Sequence, residues 1–310
     1  MVGNGKTNNF PGVSSLPTKA SGTIIIENIT RPELKRLAER YTLDFGNLSD
    51  ALDINEAPRL EHRDNYDYLY IRLPSPRDTH SVAQATLPLL VVYDSRTIFI
   101  ISGDRFLESL NTPKFLDELV AMPSTSASLI YILARIVDSF DAHIKSQIDA
   151  IHDVVVKMQN HRLSDNDFVS FILIEDQINN FMSALTPLIP LFNRLQGDRN
   201  IRLSPTVNDM LTDVILATQQ SINVCDANSK RISSIRSAYA TLSNDSLNRI
   251  MKTLTIATLL IAGPNLVFSM YGMNVKLPLQ WADAGFAITL SLATIIVLLF
   301  IIWGKKRHLF

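Results

Sequence analysis

Residues 253–274 read TLTIATLLIAGPNLVFSMYGMN, and this stretch decides how the chain is organised. From Thr253 to Val275 there is no charged side chain over 23 residues, enough helix to cross a hydrocarbon core of about 30 Å. Upstream, neither proline nor glycine occurs between Pro205 and Gly263, so nothing asks the backbone to leave a helix. A helix of that extent is about 85 Å long, far more than a small core can cover. It begins polar, with Asn208, Asp209, Asp213, Gln219 and Gln220, and turns apolar after Lys252. One helix is expected to start in the cytoplasm and finish across a membrane.

The same helix carries a second pattern. Asn248, Met251, Thr255, Thr258, Ala262, Asn265, Ser269 and Gly272 recur at steps of three and four, the seam of a coiled-coil-like bundle. Seam residues are mostly small or weakly polar, while Leu254, Ile256, Leu259, Leu260, Ile261, Leu266, Val267 and Phe268 occupy the other faces. Two readings stay open: tight packing of membrane helices through small residues, or a polar stripe lining a water-filled path. Asparagine at two seam positions favours the path, because an amide facing lipid is left unsatisfied.

The 310-residue chain has a net charge of −1 and 46% hydrophobic residues, which suits a soluble part plus a small membrane part. Near-neutral charge, with no basic patch interleaved with aromatics, argues against a nucleic-acid partner. Cys225 is the single cysteine, which excludes an intrachain disulfide and a thiolate cluster and suits a packed side chain. No signal sequence is recognisable at the N-terminus. Residues 1–22 are rich in Gly, Asn, Ser, Thr and Pro and read as a disordered tail. A second apolar run, Ala284 to Gly304, precedes Lys305-Lys306-Arg307-His308. Arg249 and Lys252 before the first span and the basic cluster after the second place both termini in the cytoplasm, by the positive-inside rule. The expected membrane part is a span at 250–275, an outer loop at 276–283, a span at 284–304 and a basic tail at 305–310. Two spans cannot enclose a pore, so conduction requires an oligomer.

Residues 23–124 read as a small α/β domain: strands at Thr23–Ile29, Asp67–Leu73, Leu87–Tyr93 and Thr97–Ser102, and a helix at Arg31–Tyr41. Asp94-Ser95-Arg96 reads as the turn of a hairpin. Residues 125–249 read as helices, one from Ser126 to Gln159, a second from Asp165 to Arg194 bent near Pro187 and Pro190, then the long stalk. The fold class expected is an α+β cytoplasmic domain with long helices and two C-terminal transmembrane helices. The six histidines form no pair at ligand spacing with a carboxylate, and no phosphate loop is present, so no enzyme is expected. Asp138, Asp141, Asp149 and Asp153 read as a solvated helix face.

Tyr271-Gly272-Met273-Asn274 at the outer end of the first of two C-terminal spans resembles the signature of the CorA family of magnesium transporters. Asn248, Met251-Lys252, Leu254-Thr255 and Lys305-Lys306 sit where the family's pattern has them. Pro58-Arg59-Leu60-Glu61 and Tyr66-Asp67-Tyr68-Leu69-Tyr70-Ile71 resemble two further family segments, so the resemblance covers nearly everything after Gly22. It implies a funnel-shaped homopentamer in the cytoplasmic membrane, surrounded by lipid, with the first span lining the pore. It implies a filter of Gly272, Met273 and Asn274, with Asn274 the residue that meets the metal. Met251 and Leu254 become candidate gate residues, Leu254 on resemblance alone. The family's regulatory Mg²⁺ falls on Asp213, whereas His80-Ser81-Val82-Ala83 departs from the acidic partner segment, with Asp78 the nearest carboxylate. Lys276, and then Asp283, stand where an acidic residue often follows the motif.

Mg²⁺ holds an octahedral water shell at about 2.1 Å and dehydrates reluctantly. Neutral amide oxygens suit its waters, whereas a ring of carboxylates could trap the ion. The function expected is Mg²⁺ influx, with Co²⁺ or Ni²⁺ as further cargo and Mg²⁺ also as regulator. The alternatives are a proton-coupled Zn²⁺ transporter of the related branch and a non-conducting scaffold. Against the first, the spans hold no histidine or carboxylate to carry protons.

Overall fold

The computed structural model describes residues 13–17, 22–75, 85–110, 112–159, 165–197, 203–273 and 284–306. The chain divides into two compact units, Met1–Ser234 and Ile235–Phe310.

The first unit is built on a six-stranded sheet of order β1-β2-β6-β5-β4-β3. The strands are β1 (Val13–Pro17), β2 (Gly22–Ile26), β3 (Arg59–Arg63), β4 (Tyr66–Pro74), β5 (Thr86–Tyr93) and β6 (Thr97–Ile101). β2 and β6 run parallel and the other pairs antiparallel. Register sorts the apolar residues into two layers. Tyr68, Val92, Phe99 and Ile24 form one cross-strand row, and Tyr70, Leu90, Ile101 and Ile26 the next. Both rows belong to the core under α1 (Arg31–Tyr41) and α2 (Phe45–Asp50), with Leu34, Leu37 and Leu48. Leu69, Val91, Ile100 and Ile25 point the other way and are buried too. On that side lie α4 (Thr125–Gln159) and α5 (Asp165–Leu185). With both faces covered, β5 is buried along its whole length.

Several expectations need correction. The stretch expected to be a disordered tail contributes β1, which pairs with β2 from Val13↔Ile26 to Pro17↔Gly22. Pairing satisfies backbone groups that the edge of β2 otherwise presents bare; residues 1–12 and 18–21 lie outside the described residues. The helix expected over Asp165–Arg194 is two helices, α5 and α6 (Leu188–Gly197). Pro187 has no N–H and disfavours helical geometry at Thr186, whereas Pro190 falls in the first turn of α6, where the missing donor costs little. α2, β3 and α3 (Thr112–Ala121) were not anticipated. β3 reads RLEHR, a polar edge strand without apolar period.

Arg59 ties β3 down. Its guanidinium stacks 3.8 Å from the ring centre of Tyr70, its register partner on β4, and pairs with Asp50 at 2.8 Å, Glu61 at 2.6 Å, and Glu56. Partial burial works against its charge, but the Glu61 hydrogen bond and the field of Glu56 hold its pKa above the usual value. Arg59→Ala removes one cation from three carboxylates in a half-exposed setting. The expected loss is about 2 kcal/mol, between that of a surface pair and of a buried one. A lower urea midpoint at unchanged m checks it.

The long helix α7 (Pro205–Tyr271) is continuous over 67 residues. Within the first unit its buried edge is Val207, Leu211, Val214, Thr218, Ser221, Cys225, Asn228 and Ile232, at alternating steps of four and three. Gln196 of α6 donates to Asn208 and Thr212 at 3.2 Å each, and Ser229 reaches Asn179 of α5 at 3.5 Å. Burial pushes the Cys225 thiol up to about 11, which keeps it protonated and packed. Asp138, Asp141, Asp149 and Asp153 are exposed, as a solvated face requires.

The second unit holds the rest of α7 and α8 (Gly285–Lys306). Both helices are long and apolar enough to cross a membrane, and their apolar windows are almost wholly exposed in the single chain. Pro264 sits inside α7 without ending it.

Candidate functional site

The C-terminal part of α7 has two faces. Ile256, Leu260, Gly263, Pro264, Val267 and Tyr271 are half-buried or buried, and so are Gly285, Thr289, Ala293, Ile296, Val297, Phe300 and Gly304 of α8. These edges meet: a Cβ on Gly263 would lie 3.1 Å from Ile296 Cγ2. The seam residues behave oppositely. Asn248, Met251, Leu254, Thr255, Thr258, Ala262, Asn265, Ser269 and Gly272 are all exposed in the single chain. At about 100° per residue the seam and the α8-facing edge centre on opposite sides of α7. Leu254 falls on the seam side by the same rotation.

The polar groups along the seam have a definite sense. Thr255 donates its hydroxyl proton to the Met251 carbonyl at 2.8 Å, and Thr258 to that of Leu254 at 2.9 Å. Their oxygens keep lone pairs for an outside donor. The Asn265 amide has no hydrogen-bond partner among the described residues. A neutral amide left in hydrocarbon without a partner costs several kcal/mol. Met251 and Leu254 are 65% and 66% exposed, so this apolar pair is as uncovered as the polar seam residues that follow it. Between Ser237 and Thr255 every residue but Tyr239 is exposed. α7 ends at Tyr271, where the Gly272 N–H donates to the Phe268 carbonyl at 3.0 Å. A Cβ on Gly272 would sit 3.3 Å from that same oxygen. Met273 is exposed; Asn274 lies outside the described residues.

A family model described as "CorA-like Mg2+ transporter protein" matches residues 24–307. The chain belongs to the CorA family. CorA proteins are Mg²⁺ transporters rather than enzymes. The cobalt/magnesium transport protein CorA of Thermotoga maritima is 20% identical over 312 residues, covering 95% of this chain and 86% of that protein. The protein of the same name from Methanocaldococcus jannaschii is 22% identical over 286 residues, covering 87% and 85%. The complete structure of the M. jannaschii CorA magnesium transporter superposes with a TM-score of 0.81 at 19% identity, over 93% of this chain and 90% of that one. The full-length CmaX protein gives 0.73 at 17% identity, over 97% and 92%. The CorA fold therefore extends over both units, and the two apolar helices are the candidate membrane spans of a CorA-family transporter.

The regulatory site expected in this CorA chain is only partly in view. Asp213 is exposed on α7. Among the described residues no three His, Cys, Asp or Glu side chains are grouped to hold a metal ion. Residues 76–84, with Asp78 and His80 to Ala83, lie outside the described residues, as do Lys276 and Asp283.

Proposed function

We propose that this CorA protein forms a homopentameric channel through which hydrated Mg²⁺ enters the cytoplasm, with α7 lining the path. The supporting observation is the exposed amide-and-hydroxyl seam on the side of α7 away from α8. Copies of the chain would meet along that seam and keep its polar groups wet, which removes the cost of a bare amide in hydrocarbon. Asn274 supplies an amide oxygen from each subunit at the outer mouth, with Gly272 and Met273 shaping the loop. Waters around the ion point their hydrogens outward, toward Asn274, Asn265 and the lone pairs of Thr255 and Thr258. Ala262 and Ser269 are small and leave room for the shell. Met251, Leu254 and Asn248 narrow the inner end, where apolar side chains close the path by excluding water.

Both termini lie in the cytoplasm of a cell whose cytoplasmic membrane holds the protein, and Co²⁺ and Ni²⁺ are further cargo. The test is Mg²⁺ flux into liposomes carrying the purified protein, with Co²⁺, Ni²⁺ and Zn²⁺ as competitors. Uptake driven by membrane potential supports the proposal. A strict need for a pH gradient, with Zn²⁺ preferred, would sink it.

Asp213 is the residue through which cytoplasmic Mg²⁺ holds the channel closed. Asp213→Ala is expected to raise flux several-fold at millimolar internal Mg²⁺ and to leave it unchanged at micromolar Mg²⁺. Equal curves for mutant and wild type across the range move regulation elsewhere.

A further inference from the structure

A cleft of about 820 Å³ opens in the first unit between the β3–β4 turn, the β5–β6 turn and the start of α4. Its volume is within the range of small-molecule sites, about 300–1,000 Å³. None of its lining residues belongs to α7 or α8.

Cross-strand register places His62, Asp67 and Tyr93 in one row across three strands, and all three line the cleft. Asp67 is 8% exposed, and its Oδ1 lies 2.8 Å from Nδ1 of the half-exposed His62. An ionised carboxylate only accepts, so Nδ1 carries the proton and Nε2 remains for another partner.

The commitments of the lining groups decide the ligand. Asp67 is taken by His62. Asp94 Oδ1 accepts from the backbone N–H groups of Arg96 and Thr97 at 2.6 Å each, closing the β5–β6 turn. Thr125 donates its hydroxyl to the Ser95 carbonyl at 3.0 Å. The Ser124 and Ser126 hydroxyl oxygens are 3.1 Å apart, and Ser124 also accepts from the Ala127 N–H. One serine proton closes that pair and the other is left to donate. The Arg96 guanidinium is exposed and has no carboxylate partner among the described residues. Both carboxylates of the lining are thus engaged, while a guanidinium and a hydroxyl proton are not. That is the donor set that holds an oxyanion. Asp94 keeps a second oxygen, an acceptor suited to hydroxyl groups rather than to a second anion, and His62 keeps Nε2 for a further hydrogen bond.

We propose that this cleft binds a small sugar phosphate, with the phosphate on Arg96 and the Ser124–Ser126 pair and the sugar hydroxyls on Asp94 and His62. The ligand would come as a free sugar phosphate or as a nucleotide, which share this chemistry. It gives the cytoplasmic domain a binding function separate from ion passage.

The test is calorimetric titration of the purified full-length protein with ribose 5-phosphate, AMP and inorganic phosphate. Ribose 5-phosphate is expected to bind, and Arg96→Ala to weaken it about tenfold or more, the scale of a lost charge-assisted hydrogen bond. Ser126→Ala should weaken it by a smaller factor, and Arg231→Ala, an exposed arginine outside the cleft, should leave it unchanged. Tighter binding of AMP identifies nucleotides as the source; weaker or equal binding identifies the free sugar phosphate. Inorganic phosphate binding as tightly as ribose 5-phosphate would overturn the roles of Asp94 and His62. Equal affinity in wild type and Arg96→Ala, or no binding of either ester, overturns the proposal whatever the flux measurements give.

Discussion

Asn274→Ala is expected to abolish Mg²⁺ flux while leaving the protein folded and assembled. The reasoning starts from the ion. Mg²⁺ gives up its waters reluctantly, so a path that admits it intact must bind the shell, and it can do so only through acceptors. An amide oxygen is an acceptor without net charge, strong enough to order water and weak enough to release the ion. Alanine lacks that oxygen, and a ring of methyls offers the shell nothing in exchange for bulk water. Flux should fall at least about a hundredfold, the effect of about 3 kcal/mol at the entry step. The measurement is liposome uptake beside size-exclusion chromatography of the same preparation. Wild-type flux in Asn274→Ala would remove the filter from the proposal, and a shifted elution would make the residue structural instead.

The second large effect is expected at Gly263, where α7 and α8 touch. A Cβ there would already stand 3.1 Å from Ile296 Cγ2. Alanine is therefore tolerated if Ile296 gives by a few tenths of an ångström. Leucine is not, because its further carbons ask for more room than a shift of a few tenths of an ångström at Ile296 supplies. Membrane helices associate by close packing rather than by hydrophobic exclusion of water, so a lost close approach is not compensated by burying more apolar surface. Gly263→Leu should separate α8 from α7 and destabilise the second unit by about 1–3 kcal/mol, the cost of an overpacked contact. Flux should be lost together with assembly in detergent, which distinguishes this variant from Asn274→Ala. The double variant Gly263→Leu, Ile296→Ala should recover part of both. No recovery would place the contact elsewhere.

How much was legible in the chain depended on which periodicity a segment carried. α1 and α4 matched expectation within a residue at each end, because a helix is marked by residues that lie near one another along the chain. The polar seam was legible for the same reason, since steps of three and four mean one face of a helix in any surroundings. β3 was not legible. Its residues alternate nothing, and it is held as a strand by pairing with β4 and by Arg59, which stacks on Tyr70 and meets Asp50, Glu56 and Glu61. The cleft was hidden too: His62, Asp67, Tyr93, Arg96 and Ser126 come from separate elements and carry no common spacing.

By itself, the order of residues determined that a charge-free helix joins a longer polar one, that a second apolar run follows it, and that amides and hydroxyls share one edge. Those are properties of a single helix, written in nearest neighbours along the chain. Which edge α8 covers was decided only by tertiary packing, because Gly263 and Ile296 belong to two different helices and no local rule pairs residues so far apart in sequence. That choice left the seam open on the far side of α7, and the transport proposal rests on it.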